Sequence, residues 1–170
     1  MIAVTALITT CALGFALWAK RDRSHASAAL ILMTEAFLFL VFAARDLFAF
    51  YVGFEGMLIP LLVLLVVWGG PGRKFATLQV IAYTAFGTLL MLLGILYLGL
   101  TAPDGPNFDM AAAIGRGGDW VFFAFAIAFA IKSPLFPLHG WVLPAYRQAS
   151  PEVAAVLSGV ASKAGAFAFL

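Results

Sequence analysis

Four ionisable side chains stand deep inside long apolar runs: Glu35, Glu55, Lys132 and Lys163. Each sits roughly 12 to 18 Å along its helix at about 1.5 Å per residue, near the middle of a bilayer core about 30 Å thick. A charge at a helix centre in lipid costs about 2.5 to 3.5 kcal/mol, so four unpaired charges would cost on the order of 10 kcal/mol, as much as a whole domain is stable by. They must be paired, hydrated or neutralised. Two acids and two bases allow two ion pairs. The same set suits proton transfer, because the proton affinity of a buried lysine follows the distance of a nearby carboxylate. Static pairs that hold helices together are the plain alternative, and Glu35 also reads as a polar packing residue.

One stretch sharpens the choice. In FAIAFAIKSPLFPLHGWVLP, Lys132 is followed by Pro134, Pro137 and Pro144, with His139 between them. Each proline lacks a backbone N–H and clashes with the preceding helical turn. A helix broken inside a membrane frees carbonyls, which is tolerated only beside protein or water. Discontinuous helices of this kind occur at ion and substrate sites of transporters. His139 is placed to relay a proton, since imidazole titrates near neutrality; an interfacial histidine with a structural hydrogen bond is the bland reading. Pro60, in FEGMLIP, is expected to kink the helix that carries Glu55.

The elements that must position these groups are helices. The chain is 64% hydrophobic and 11% charged, against about half and a quarter in soluble domains. That excess of apolar residues predicts an all-α integral membrane protein in a single membrane domain, 1–170. Six spans are expected at about 2–19, 27–44, 47–68, 75–100, 120–136 with a broken extension to 148, and 151–170. The runs are too long, and too free of a two-residue period, for barrel strands.

The connecting segments test that count. Lys20, Arg21 and Arg23 follow the first span; Arg45 and Asp46 cancel after the second; Arg73 and Lys74 follow the third. Asp104, Asp109 and Asp119 outweigh Arg116 in the segment 101–119, and Arg147 follows the fifth span. Positive charge alternates loop by loop. The positive-inside rule then places 20–26, 69–74 and 142–150 on the cytoplasmic side, and 45–46, 101–119 and the N-terminus outside. Trp68, Trp120 and Trp141 near span ends read as interface anchors. Ser158, Gly159, Ala161, Ser162 and Gly165 read as small residues for close helix packing.

Other chemistries are excluded. The basic residues form no contiguous patch for nucleic acid. Cys11 stands alone, so neither an internal disulfide nor a cysteine-based metal or iron–sulfur site can form. No glycine-rich nucleotide motif is present, and no redox cofactor or metal is expected on this chain. The N-terminal run lacks a preceding basic region and a good cleavage site, so it reads as a retained helix. The segment TAPDGPNFDMAAAIGRGGD is the one long connection and carries no evident chemistry.

The joint pattern FEGMLIP, then AIKSPLFPLHGW, then SGVASKAGAF resembles the antiporter-like, proton-translocating membrane subunits of respiratory complex I, of the chain M or NADH dehydrogenase subunit 4 type. The resemblance runs from about the third to the eighth family helix: one preceding helix plus the first of two inverted repeats. It implies that Glu55 and Lys132 form an ion pair whose strength gates proton uptake, and that Lys163 passes the proton on through waters. It matches His139 to the histidine of the P-x-H-x-W motif and Glu35 to a second membrane acid. It implies partner membrane subunits in a prokaryotic cell membrane, with NADH, FMN, iron–sulfur clusters and quinone held by other subunits. The sequence departs from the family at WVLPAYRQASP, where the family reads W-L-P-D-A: the proline is displaced by one residue and the acid is missing. The abrupt ends and the absent second repeat point to a fragment. Two other readings stand beside it: a subunit of a sodium/proton antiporter complex or membrane-bound hydrogenase, and a non-transporting membrane fragment or scaffold.

Overall fold

The computed structural model describes residues 1–19 and 24–169. The basic loop residues Lys20, Arg21 and Arg23, and Leu170, lie outside the described residues. The described chain is helical apart from connections and an isolated two-residue bridge: α1 (Ile2–Trp18), α2 (Ser24–Ala43), α3 (Leu47–Gly56), α4 (Leu58–Trp68), α5 (Arg73–Leu100), α6 (Met110–Ala113), α7 (Gly118–Lys132), α8 (Val142–Gln148), α9 (Pro151–Val156), a π-helical stretch Leu157–Ala161, and α10 (Ser162–Phe167). Among the described residues three stretches are long and apolar enough to cross a membrane: His25–Ala43, Leu47–Trp68 and Arg73–Leu100, of 19, 22 and 28 residues. The other predicted spans are shorter or divided. α1 has 17 residues, α7 has 15, and the last is split around the π-helical stretch.

The breaks have identifiable causes. The predicted span 47–68 divides at Met57, whose N–H reaches back to the Gly53 carbonyl at 3.2 Å. Pro60, three residues on, cannot donate to the Gly56 carbonyl, so the strain falls on that turn. The predicted run 120–136 begins at Gly118 and already ends at Lys132. Pro134 cannot take up the Ala130 carbonyl, and the Leu135 N–H takes it instead at 2.9 Å. Turns then lead to α8, with a cis peptide bond between Phe136 and Pro137. In the last segment Ser162 directs both its N–H and its hydroxyl, the latter at 3.0 Å, to the Leu157 carbonyl five residues back. That five-residue spacing is the π geometry, which frequently marks functional sites.

The segments assigned to one side by charge meet in space. The Leu47 N–H donates to the Phe108 carbonyl at 2.8 Å, and the Met110 N–H to the Arg45 carbonyl at 3.0 Å. The long connection thus folds back on the 45–46 turn, whose Asp46 carboxylate caps α3 by accepting from the N–H groups of Phe48 and Ala49, each at 2.9 Å. Elsewhere, Gly70 N–H donates to the Gln148 backbone carbonyl and Gly72 N–H to the Gln148 side-chain oxygen, both at 2.8 Å. The 69–72 loop is therefore fastened to the end of α8.

Packing draws on small residues. α5 lies close against α7: a Cβ at Gly87 would stand 2.9 Å from Ile131 Cδ1 and 3.1 Å from Ala128 Cα. α10 lies on the end of α7, where a Cβ at Gly165 would stand 2.9 Å from Lys132 Cβ. Such approaches let helices pack by van der Waals contact where lipid offers no hydrophobic drive. Gly159 packs against Ile8 of α1, so the small-residue reading of the last segment holds there.

Candidate functional site

Lys132 is the last residue of α7 and is 2% exposed. Its Nζ donates to the backbone carbonyl of Phe54 at 2.7 Å and stands 4.5 Å from the centroid of the Phe54 ring. A buried ammonium is thus met by a carbonyl dipole and an aromatic face, each of which favours a cation. Phe54 is itself fully buried and is held by ring contacts to Phe50, at 5.3 Å, and Phe129, at 5.7 Å. The acceptor that receives Lys132 sits in a rigid aromatic wall.

Glu55 is the next residue of α3. It is half-buried, and its Oε2 is buried without a hydrogen-bond partner. The Lys132 charge reaches it electrostatically, and the Thr88 side chain of α5 lies beside it. The Thr88 hydroxyl itself donates to the Thr84 carbonyl at 2.9 Å. Tyr51, one helical turn before Glu55, also feels the carboxylate's charge. An ammonium and a carboxylate therefore face one cluster formed by α3, α5 and α7. The ammonium does not close onto the carboxylate: its hydrogen bond goes to the residue before it.

The other candidates are less gathered. Lys163 lies on α10 immediately after the π-helical stretch and is exposed, while Gly165, two residues on, touches the backbone end of Lys132. His139 lies in the turn between α7 and α8. It is exposed and packs beside the Phe136 ring at 5.7 Å. Glu35 is half-buried on α2, a helix that packs on α3 and α4. Among the described residues no cluster of three or more His, Cys, Asp or Glu is placed to hold a metal.

Trp141 is a correction. Read as an interface anchor, it is 2% exposed and among the largest fully buried side chains. Its indole Nε1 donates to the Ile131 carbonyl at 2.9 Å. The sequence held one signal for this: a tryptophan directly behind a proline break, where a freed carbonyl needs a donor. Ser162, expected only to pack as a small residue, also brings its hydroxyl to the Tyr146 hydroxyl at 3.2 Å.

These features define a helical membrane subunit that holds a buried ammonium beside a carboxylate at a helix break. Residues 44–170 match the family described as NADH:quinone oxidoreductase/Mrp antiporter, TM, and the chain belongs to that family, as an antiporter-like membrane subunit of the complex I chain 4 or subunit 13 type. It is 41% identical over 145 residues to NADH-quinone oxidoreductase subunit 13 of Thermus thermophilus, covering 82% of this chain and 31% of that one. It is 33% identical over 175 residues to NAD(P)H-quinone oxidoreductase chain 4 3 of Picosynechococcus sp., covering 100% of this chain and 32% of that one. Among solved structures it resembles a chain of respiratory complex I from Thermus thermophilus with bound NADH, with a TM-score of 0.82 and 36% identity over 99% of this chain and 35% of that one. It also resembles a chain of the Mrp complex from Dietzia sp., with a TM-score of 0.80 and 28% identity over 97% of this chain and 32% of that one. The chain thus spans about a third of the length of the curated relatives it matches.

Proposed function

We propose that this chain carries a proton-uptake half-channel of an NADH-quinone oxidoreductase membrane subunit. The observation that carries the reading is Lys132: 2% exposed, its ammonium 2.7 Å from the Phe54 carbonyl, with the unpartnered Oε2 of Glu55 on the following residue. Lys132 and Glu55 are the proton-handling pair. Moving the ammonium from the Phe54 carbonyl to the carboxylate would change the proton affinity of both groups without changing the fold. Lys163 and His139 would extend the route, with Glu35 as a further membrane acid. The six-span arrangement, with the N-terminus outside, is the topology this reading uses. The chain itself handles protons; NADH, flavin, iron–sulfur clusters and quinone belong to partner subunits.

The test uses the complete subunit assembled in its complex and reconstituted in liposomes. Lys132→Ala is expected to abolish proton translocation through this subunit while the complex still assembles. Undiminished translocation would refute the role.

A second reading is supported by the likeness to the Mrp complex chain, at a TM-score of 0.80. In it the same pair would serve sodium/proton exchange. A sodium gradient that drives proton movement through the complete assembly would favour it. Proton movement that ignores sodium would favour the first.

A further inference from the structure

We infer that Trp141 is a positioning residue for the Lys132 ammonium, holding the α7 break in the one geometry that delivers the side chain to Phe54. The inference deepens the reading of Lys132 as the proton-carrying group and rests on it.

Pro134 leaves the Ala130 carbonyl to Leu135 N–H, at 2.9 Å. Leu135 would otherwise have served the Ile131 carbonyl, which is left over. Ile131 is 1% exposed, so water does not replace the missing donor. The Trp141 indole N–H fills that role at 2.9 Å, ten residues on and across the whole broken segment. The neighbouring residue fixes the approach from the other side: a Cβ at Gly140 would stand 2.6 Å from the Tyr83 hydroxyl of α5. Trp141 is thus seated between α7 and its continuation, with the break pressed against α5.

The consequence falls on Lys132. The Ile131 carbonyl belongs to the peptide that joins Ile131 to Lys132, so the indole bond orients the plane from which the Lys132 side chain departs. It also occupies an acceptor adjoining the ammonium's own residue. Without the indole N–H that carbonyl would be open to the ammonium or to water, in competition with Phe54. Phenylalanine has no donor to offer, so the ring alone cannot do this work.

The experiment reads Lys132 directly. The full chain is placed in lipid nanodiscs with nitrogen-labelled lysine side chains and carbonyl-labelled phenylalanine. Solid-state NMR then detects the dipolar contact between the Lys132 Nζ and the Phe54 carbonyl carbon, assigned by its loss in Lys132→Ala. Trp141→Phe is expected to lose that contact while helical content is kept. A benzothienylalanine at position 141, which keeps the bicyclic shape and puts sulfur where the N–H was, is expected to lose it too. Retention of the contact in either folded variant would overturn the inference. So would failure of both variants to fold, which would assign the indole bond a general structural role. Because the contact is measured without any flux, an absence of proton translocation in the complex would count against the functional reading and leave this measurement standing.

Discussion

The Lys132 ammonium is bonded to the carbonyl of Phe54, 2.7 Å away, and not to the carboxylate of Glu55, the next residue in the chain. A carbonyl is a weaker partner for a cation than a carboxylate, yet the carboxylate, reached by the Lys132 charge and flanked by the Thr88 side chain, does not accept the ammonium's hydrogen bond. Glu55 keeps a buried oxygen without a hydrogen bond, an arrangement that costs stability. In the proposed reading the two residues offer Lys132 two adjoining stations, the Phe54 carbonyl and the Glu55 carboxylate, on a single turn of α3.

Replacing Glu55 separates those stations. Glu55→Gln keeps the shape and removes the charge, so Lys132 retains its Phe54 carbonyl and loses the second position. Assembly of the complete subunit is expected to be normal and proton translocation to fall at least about tenfold, equivalent to about 1.4 kcal/mol in the rate-limiting barrier. Proton pumping in liposomes checks this. A rate equal to wild type would show that the carboxylate charge is not used.

Much of this arrangement was legible in the sequence, because burying a charge in an apolar run is costly enough to be informative. Lys132 and Glu55 stood out for that reason, and they do meet around one cluster. Two loop pairs that charge alternation placed on a common side, 45–46 with 101–119 and 69–74 with 142–150, are joined by hydrogen bonds. What escaped was fixed by backbone accounting rather than by side-chain type. The end of α7 at Lys132 depends on which N–H takes the Ala130 carbonyl. The burial of Trp141 depends on the carbonyl then left over. The π-helical stretch before Lys163 depends on a serine bonding five residues back. No periodicity in the apolar pattern carries those choices, since the long helices α1 to α5 and α7 are apolar nearly all round.

Gln148 makes a second, smaller prediction. Its side-chain oxygen accepts from Gly72 N–H at 2.8 Å, and its backbone carbonyl from Gly70 N–H at 2.8 Å. Gln148→Ala removes the first bond and keeps the second. The expected loss of stability is about 1 kcal/mol, that of a typical hydrogen bond. Amide exchange at Gly72 is expected to quicken, while exchange within α5 stays slow. Unchanged exchange at Gly72 would show that the loop does not depend on this side chain. A glutamate at 148 could still accept from Gly72, so Gln148→Glu is expected to restore much of the protection.

Gly87 makes the third. It lies on the α5 face against α7, where an added Cβ would meet Ala128 Cα at 3.1 Å and Ile131 Cδ1 at 2.9 Å. The Ile131 side chain can swing aside, but Ala128 Cα is backbone and can move only if α7 moves. Gly87→Ala gains intrinsic helix propensity of about 1 kcal/mol, and overpacking costs about 1 to 3 kcal/mol. The clash is with backbone on one side, so the cost is expected to win and the chain to unfold at a lower temperature in detergent. The displacement of α7 is also expected to reach Lys132, four residues beyond Ala128 and one turn along the same helix. Gly14 offers the control: an added Cβ there meets nothing within 4 Å, so Gly14→Ala is expected to keep or raise the unfolding temperature. If Gly87→Ala raised it as much as Gly14→Ala did, the close seating of α5 on α7 would not be limiting at Gly87.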